Sequence, residues 1–198
     1  MINGWMRFIY RAVLVGCGAI PGVRPGRRGA VAHLAGPASG RGPTGIEEID
    51  RIIVAALAGD TALLREMIQY TTLRCLTLEG LGGPPPCREG ESEGTLVEVL
   101  PFIGPEGSHL GREDVQDWTG LDVSELVAVY RLSDQVYADK NYPSGDYGVL
   151  FACQPGIEGI TVHLRDGGIV RIDYHLGTSV QEIVEGEAAE LILAPSSP

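Results

Sequence analysis

The chain has 198 residues, 44% of them apolar and 21% charged, so it is long enough for one domain with a sizeable core. Its formal net charge is -11, but residues 1–45 hold six arginines and no acid, which leaves -17 for the remainder. An acidic body repels phosphate backbones and anionic lipid, so we expect no nucleic-acid partner. No apolar run approaches the roughly 18 residues of a membrane span, so we expect the body to lie outside the bilayer.

Residues 1–43 are predicted to be a Gly/Pro/Arg-rich leader or an export signal. Residues 14–17 (Leu-Val-Gly-Cys) resemble a bacterial lipobox in which Cys17 is lipidated, although the preceding apolar run is short. Arg27 and Arg28 form a second targeting candidate, and an unstructured leader or an upstream start codon is the alternative. We predict an exported domain, lipid-anchored through its N-terminus if the lipobox is real, with a cytoplasmic location as the alternative.

Two short helices are predicted at the start of the folded domain, which we assign to residues 44–177. Thr44 and Glu47 have the spacing of a capping box ahead of a helix with one apolar stripe. Gly59 ends that helix, and Asp60 is placed to cap a second one. The two helices should therefore meet at a tight corner.

Cys75 and Cys87 enclose a stretch too rich in Gly and Pro to be a helix or a central strand. We predict a disulfide between them, worth about 3 kcal/mol by the chain-entropy argument, and hence an oxidising compartment. Cys153 lies in an apolar, strand-like run and is interpreted as a buried small side chain. Because neither Cys-x-x-Cys nor His-x-x-x-His occurs, we predict no metal site and no cofactor.

Strands are predicted at residues 95–100, 126–132 and 147–153, with a short helical turn at 112–118. Residues 159–175 predict a hairpin. Pairing around a three-residue loop at 166–168, with Gly168 left-handed, places its apolar side chains on one face. Residues 178–198 are predicted to be a C-terminal helix, capped by Ser179 and Glu182, and a frayed tail.

The other face of this hairpin is polar and carries a histidine at each end. We interpret it as a solvated outer face or a dimer contact, with ligand binding by Arg171 and Asp173 as the alternative. His163 and His175 lie too far apart along the hairpin to share one metal ion. The face consists of Thr161, His163, Arg171, Asp173 and His175.

The order of elements, the Ala-Gly-Asp corner at residues 58–60 and the segment Asp-Gly-Gly-Ile-Val-Arg-Ile-Asp at 166–173 resemble the nuclear-transport-factor-2-like superfamily, especially its SnoaL-like and ketosteroid-isomerase-like branches. The resemblance implies an α+β cone, in which a curved, mostly antiparallel sheet of about five strands packs on two N-terminal helices. It also implies a pocket at the open end and frequent homodimers. The loop between the two cysteines departs from the family pattern and is a candidate lid over the cone mouth.

Isomerase-like members of this superfamily use a carboxylate as general base and an aromatic hydroxyl or neutral acid as hydrogen-bond donor. The catalytic candidates here are Asp114 and Asp117 near Trp118, together with His109 and Tyr130. The alternative is that the two acids only cap a short helix.

Aromatic side chains offer a second kind of candidate site. Tyr70, Trp118 and Tyr130 are predicted to line a ligand pocket together with Arg171 and Asp173, and the alternative is that the aromatic residues belong to the core. The superfamily includes both enzymes and binding modules, so it implies no single activity. We predict non-catalytic binding of a small ligand or a protein partner; the alternative is an isomerase, dehydratase or cyclase with a carboxylate in the cone.

Overall fold

The computed structural model describes residues 42–77, 82–153 and 158–195. Residues 1–41 of the predicted leader, including the lipidation candidate Cys17 and the twin arginine, lie outside the described residues. Within them the chain has three α-helices and one eight-stranded sheet, which confirms the α+β class. No helix in these ranges is long and apolar enough to cross a membrane.

The first two helices, α1 (Glu47–Ala58) and α2 (Thr61–Glu66), form the predicted corner. Gly59 ends α1 with a φ of 65°, a left-handed conformation that glycine adopts without strain. The Asp60 carboxylate then accepts the Leu63 amide at 3.0 Å and caps α2. The predicted capping box between Thr44 and Glu47 does not form. The Asp50 carboxylate, six residues after Thr44, instead accepts both the amide and the hydroxyl of Thr44 at 2.8 Å.

The sheet is mixed and has eight strands in the described residues, where the sequence predicted about five. The strands are β1 (Thr71–Arg74), β2 (Leu96–Ile103), β3 (Ser108–Gly111), β4 (Glu125–Leu132), β5 (Tyr147–Ala152), β6 (Gly159–Arg165), β7 (Gly168–His175) and β8 (Ala188–Leu193). Their order in the sheet is β1-β2-β7-β6-β5-β4-β8, and β3 also pairs with β2. Strands β2 and β7 are parallel, and the other strand pairs of the described residues are antiparallel.

The three strands that the sequence did not predict have identifiable reasons. Strands β1 and β3 have four residues and one aliphatic side chain each, so neither shows an alternating apolar pattern. Strand β8 follows directly after α3 (Val180–Glu187), and its sequence Ala-Ala-Glu-Leu-Ile-Leu is rich in helix formers. It becomes a strand because it pairs with β4, so this part of the predicted C-terminal tail is a strand of the sheet. The capping box of Ser179 and Glu182 is present as predicted.

The β6–β7 hairpin has the predicted register away from its turn, with Val162 opposite Ile172 and Ile160 opposite Tyr174. The predicted three-residue loop is wrong. The turn has two residues, Asp166 and Gly167, both with positive φ, as a type I′ turn requires. The residue that the predicted loop would have contained is accommodated by a β-bulge instead, where the register shifts between His163 and Leu164.

The two faces of the sheet are covered by different parts of the chain. Helices α1 and α2 pack on one face and form the main core, which includes Ile52, Leu100 and Ile172. On the opposite face, Ile183 of α3 packs in a smaller apolar cluster with Tyr130 and neighbouring residues of β4 and β5. The β4–β5 connection (residues 133–146) covers the polar side of the hairpin on that second face through hydrogen bonds to the β6 and β7 side chains.

The predicted disulfide is confirmed. Cys75 and Cys87 are bonded, with their Cα atoms 4.8 Å apart, and Cys75 is fully buried. Within the loop that they close, the Gly83 carbonyl accepts the Tyr142 hydroxyl of the β4–β5 connection at 3.3 Å. The loop is therefore tied to the segment that covers the hairpin.

Candidate functional site

A cleft of about 280 Å³ opens between α3 and the β4–β5 connection, and we name it the hairpin cleft. Its floor is the polar face of the β6–β7 hairpin, and its walls come from residues 135–137, from Ile103 and from α3. It is lined by Ile103, Gln135, Val136, Tyr137, Arg171, Asp173, His175, Thr178, Glu182, Ile183, Gly186 and Glu187.

The interpretation of this face as solvated, or as a dimer contact, is wrong because the chain itself covers it. Thr161 and His163 are fully buried, Arg171 is 1% exposed and Asp173 is 6% exposed. Buried polar groups must find hydrogen-bond partners to offset their lost hydration. The buried polar side chains are accordingly joined in two clusters, one centred on Arg171 and one on Glu187.

Arg171 is saturated by its own protein. Its Nε and Nη2 donate to the two carboxylate oxygens of Asp173 at 2.8 and 2.7 Å. Its Nη1 donates to the carbonyls of Tyr137 and Tyr142 at 2.7 and 3.1 Å. The guanidinium therefore holds the β4–β5 connection against the sheet: four of its five N–H groups donate to these oxygens, and Nη2 also lies 3.3 Å from Nε2 of His163.

His163 completes this first cluster. Its Nδ1 lies 3.5 Å from the Gly145 amide nitrogen. Its Nε2 lies 3.1 Å from Asp173 Oδ2 and 3.3 Å from Nη2 of Arg171. Burial raises the pKa of Asp173, but His163 and Arg171 outweigh burial and hold it below its ordinary value. Asp173 is therefore a paired carboxylate at neutral pH.

The second cluster surrounds Glu187, at the C-terminal end of α3. The Tyr130 hydroxyl donates to Glu187 Oε2 at 2.5 Å, and the Thr161 hydroxyl lies 3.2 Å from the same oxygen. Nε2 of His175 lies 2.8 Å from the Thr161 hydroxyl and 3.5 Å from Glu187 Oε1. The side chains of His175 and Glu187 are each 14% exposed, so solvent in the hairpin cleft reaches both.

Burial sets the protonation states of this second cluster. It lowers the pKa of His175 below 6.5, although Glu187 and Asp173 oppose that shift, so the ring is neutral at pH 7. Burial, reinforced by Glu187, raises the pKa of Tyr130 far above its ordinary value, so its phenol keeps its proton. Glu187 is thus surrounded by neutral hydrogen-bond donors.

The arrangement does not form a nucleophile triad, although it contains a hydroxyl, an imidazole and a carboxylate. In a triad the hydroxyl and the carboxylate bind different ring nitrogens. Here Thr161 and Glu187 both face Nε2 of His175. Thr161 is also fully buried, so its hydroxyl cannot reach a substrate. Of the second cluster, only His175 and Glu187 can meet a ligand.

The predicted catalytic residues do not come together. Asp114 precedes the 3₁₀ helix Val115–Asp117 and Asp117 ends it; both are exposed, and Asp114 forms an ion pair with Arg88. The His109 ring packs on Tyr142, with ring centroids 4.9 Å apart, and burial lowers the pKa of His109. Tyr130 alone among these candidates belongs to the Glu187 cluster.

The predicted ligand-binding residues are divided between the two faces of the sheet. Trp118 is buried in the main core, edge-on to Phe102, and Tyr70 lies under the Arg112 guanidinium. Arg171 and Asp173 line the hairpin cleft, and Tyr130 lies in the adjoining Glu187 cluster.

Glu187 was missed by the sequence analysis. It lies 57 residues from Tyr130 along the chain, and nothing in its local sequence distinguishes it from the other glutamates of α3. The available signal was the unusual density of polar residues on one hairpin face, which required partners once that face was covered.

A second cleft, of about 480 Å³, lies beside the β4–β5 connection and is lined by Arg131 and Arg165 among others. Arg131 is paired with Glu190 at 3.3 Å, and Arg165 donates to the Ser144 carbonyl, so both cations are engaged. No group of three or more His, Cys, Asp or Glu in the described residues is arranged to hold a metal ion. The hairpin cleft is therefore the better candidate site.

The comparisons with known proteins give no relative for this chain: no family model matches it, no curated protein matches it and no solved structure matches it.

Proposed function

We propose that this domain is a non-catalytic binding module that takes a small molecule in the hairpin cleft. The observation that carries the proposal is the composition of the cleft. Two solvent-reachable polar side chains, His175 of the floor and Glu187 of α3, line it beside the apolar side chains of Ile103, Val136 and Ile183. A concave, partly apolar site with a few convergent polar groups is the usual form of a small-ligand site. Its volume suits a small ligand.

The saturated Arg171 supports binding over group transfer. Because the guanidinium is paired with Asp173 and also donates to two carbonyls, it gives the cleft a rigid floor and contributes no free cation to a transition state. A protein partner in place of a small molecule is the other form of this proposal, and homodimerisation stays a prediction.

Export and family membership belong to the same proposal. The bridge between Cys75 and Cys87 is compatible with an extracytoplasmic location, where disulfides persist. Two N-terminal helices packed on a mixed sheet are compatible with a nuclear-transport-factor-2-like cone. The loop closed by the disulfide, which contacts the β4–β5 connection, remains a candidate lid.

Native mass spectrometry of the full chain purified from its own host tests the binding proposal. We expect a retained small molecule on the wild-type protein. Gly186 lines the cleft, and an added Cβ there meets no atom within 4 Å, so Gly186→Phe should fill the cleft while α3 stays folded. Gly186→Ala is the matched control and should keep the ligand. Equal occupancy of the Phe variant, or bare wild-type protein, would contradict the proposal.

A second candidate is an acid–base enzyme with His175 as general base, because burial lowers the pKa of His175 and keeps its ring unprotonated at pH 7. Mass spectrometry in D₂O separates the two functions. An enzyme of the isomerase, dehydratase or cyclase type exchanges a carbon-bound proton of its ligand, so the bound molecule gains deuterium with the wild-type protein and not with His175→Gln. A binding module returns the molecule unlabelled in both cases.

A further inference from the structure

The Glu187 carboxylate has hydrogen bonds but no cation. Its three neighbours are the phenol of Tyr130, the hydroxyl of Thr161 and the ring of His175. Burial raises the pKa of Tyr130 and lowers that of His175, so all three are neutral at pH 7. The nearby guanidinium of Arg171 is neutralised by Asp173. One negative charge therefore remains uncompensated at a position where the side chain is 14% exposed.

A charge held out of bulk water is costly unless it is paired. The phenol and the hydroxyl reduce this cost, because both lie within hydrogen-bond distance of Oε2. Oε1 has a single neighbour in these contacts, Nε2 of His175 at 3.5 Å, and a carboxylate oxygen can accept two hydrogen bonds. The oxygen with spare capacity is on a side chain that lines the cleft.

None of the other charged side chains that line the cleft is a free cation that could pair with Glu187. Asp173 is paired with Arg171, and Glu182 accepts the amide and hydroxyl of Ser179 in the capping box. The cleft lining thus holds three carboxylates against one guanidinium. Its field favours a positively charged ligand.

We propose that the ligand of the hairpin cleft is a small organic cation whose ammonium group pairs with Glu187, while its carbon chain lies against Ile103, Val136 and Ile183. This inference rests on the proposed binding function and names the ligand class. The ammonium donates one N–H to Oε1 of Glu187. The neutral ring of His175 lies beside it without charge repulsion.

Three probes of equal chain length test the charge directly: n-butylamine, 1-butanol and butyrate, titrated into the ¹⁵N-labelled full chain at pH 7.5. We expect the amine to shift the amides of α3 and β7 with millimolar affinity, and to bind at least tenfold more tightly than butanol. Butyrate should give no saturable shift. Equal or tighter binding of butanol or butyrate, or no saturable binding of the amine, would overturn the inference.

Glu187→Gln removes the charge at nearly constant shape and should weaken amine binding at least tenfold. Glu185→Gln, on the exposed side of the same helix, is the matched control and should leave amine binding unchanged. Unaltered amine binding by Glu187→Gln would refute the pairing.

Gln135→Lys keeps the test informative if Glu187→Gln does not fold, because Gln135 is exposed and lines the cleft. A lysine there supplies a cation inside the cleft, so amine binding should be lost, whereas Gln181→Lys, at an exposed position outside the cleft lining, should retain it. Retained amine binding by the lysine variant would contradict the charge argument. Saturation by MgCl₂ or ZnCl₂ alone, with displacement of the amine, would replace the organic cation by a metal ion.

The two proposals fail separately. A host-derived molecule that is retained in the cleft but is neutral or anionic would overturn the cation and leave the binding function standing. Host-purified protein without any retained molecule would contradict the binding function itself.

Discussion

Replacing Arg171 with methionine should be among the most damaging single changes in this protein. The substitution keeps most of the side-chain volume but removes both hydrogen bonds to Asp173 and both to the β4–β5 connection. Asp173, 6% exposed, is then left as a buried carboxylate without its guanidinium, with the His163 ring 3.1 Å away as its remaining partner. Breaking a buried ion pair from one side costs about 3–5 kcal/mol. A domain of ordinary stability, about 5–15 kcal/mol, still folds after that loss unless it lies at the lower end of the range.

A double variant separates the buried charge from the lost hydrogen bonds. Adding Asp173→Asn to Arg171→Met removes the stranded charge and leaves mainly the carbonyls of Tyr137 and Tyr142 without a donor. At about 1 kcal/mol per hydrogen bond, the double variant should lose about 2 kcal/mol, less than the single variant. Urea unfolding followed by far-UV circular dichroism measures both values.

The control for this prediction is Arg131→Met. Arg131 has a side chain 53% exposed and forms a surface ion pair with Glu190, so its loss should cost at most about 1 kcal/mol. Two results would contradict the proposed role of Arg171 in holding the β4–β5 connection against the sheet. One is a loss of unfolding free energy in Arg171→Met no larger than that in Arg131→Met, and the other is a double variant less stable than Arg171→Met.

Three further predictions concern the disulfide, a close glycine contact and pH. Replacing Cys75 and Cys87 with alanine should lower the free energy of unfolding by about 3 kcal/mol, and an unchanged urea midpoint would show that the bridge adds nothing. Gly148→Ala places a Cβ 2.5 Å from Cε2 of Tyr130 and should lower the free energy of unfolding by about 1–3 kcal/mol. Gly186→Ala, in open space within a helix, should raise it by about 0.5–1 kcal/mol. Thermal melts that rank the two variants the other way would contradict the close packing of Tyr130 on Gly148. Burial lowers the pKa of His175 in the folded protein, so the unfolded chain binds a proton first as the pH drops below about 6.5. The free energy of unfolding should therefore fall from that pH down through the folded-state pKa of His175. His175→Gln should flatten this pH dependence, and equal slopes for the variant and the wild-type protein would contradict the prediction.

Much of the fold could be predicted from local sequence patterns. The corner at Gly59 and Asp60, the capping box of Ser179 and the disulfide each depend on residues close together along the chain. Their physics is therefore local: a left-handed glycine, a carboxylate that accepts a nearby amide, two thiols at the neck of a short loop. The hairpin register away from the turn was predictable for the same reason, since a slip by one residue would exchange its two faces.

The short strands and the candidate site were not predictable in this way. The helix-forming sequence of β8 becomes extended only because β4 offers it a free edge. The polar face of the hairpin has the composition of a solvated surface, and Glu187 reaches it from a helix that is remote in the sequence.

The sequence by itself determined which hairpin residues share a face, because side chains alternate along a strand whatever surrounds it. Only the tertiary structure decided that the polar face is buried, because burial depends on what covers a face, and here the cover comes from the β4–β5 connection and α3. Because of that cover, Arg171 is a buried side chain that holds the β4–β5 connection against the sheet and not a surface charge. It also leaves Glu187 as a carboxylate without a cation beside an open cleft.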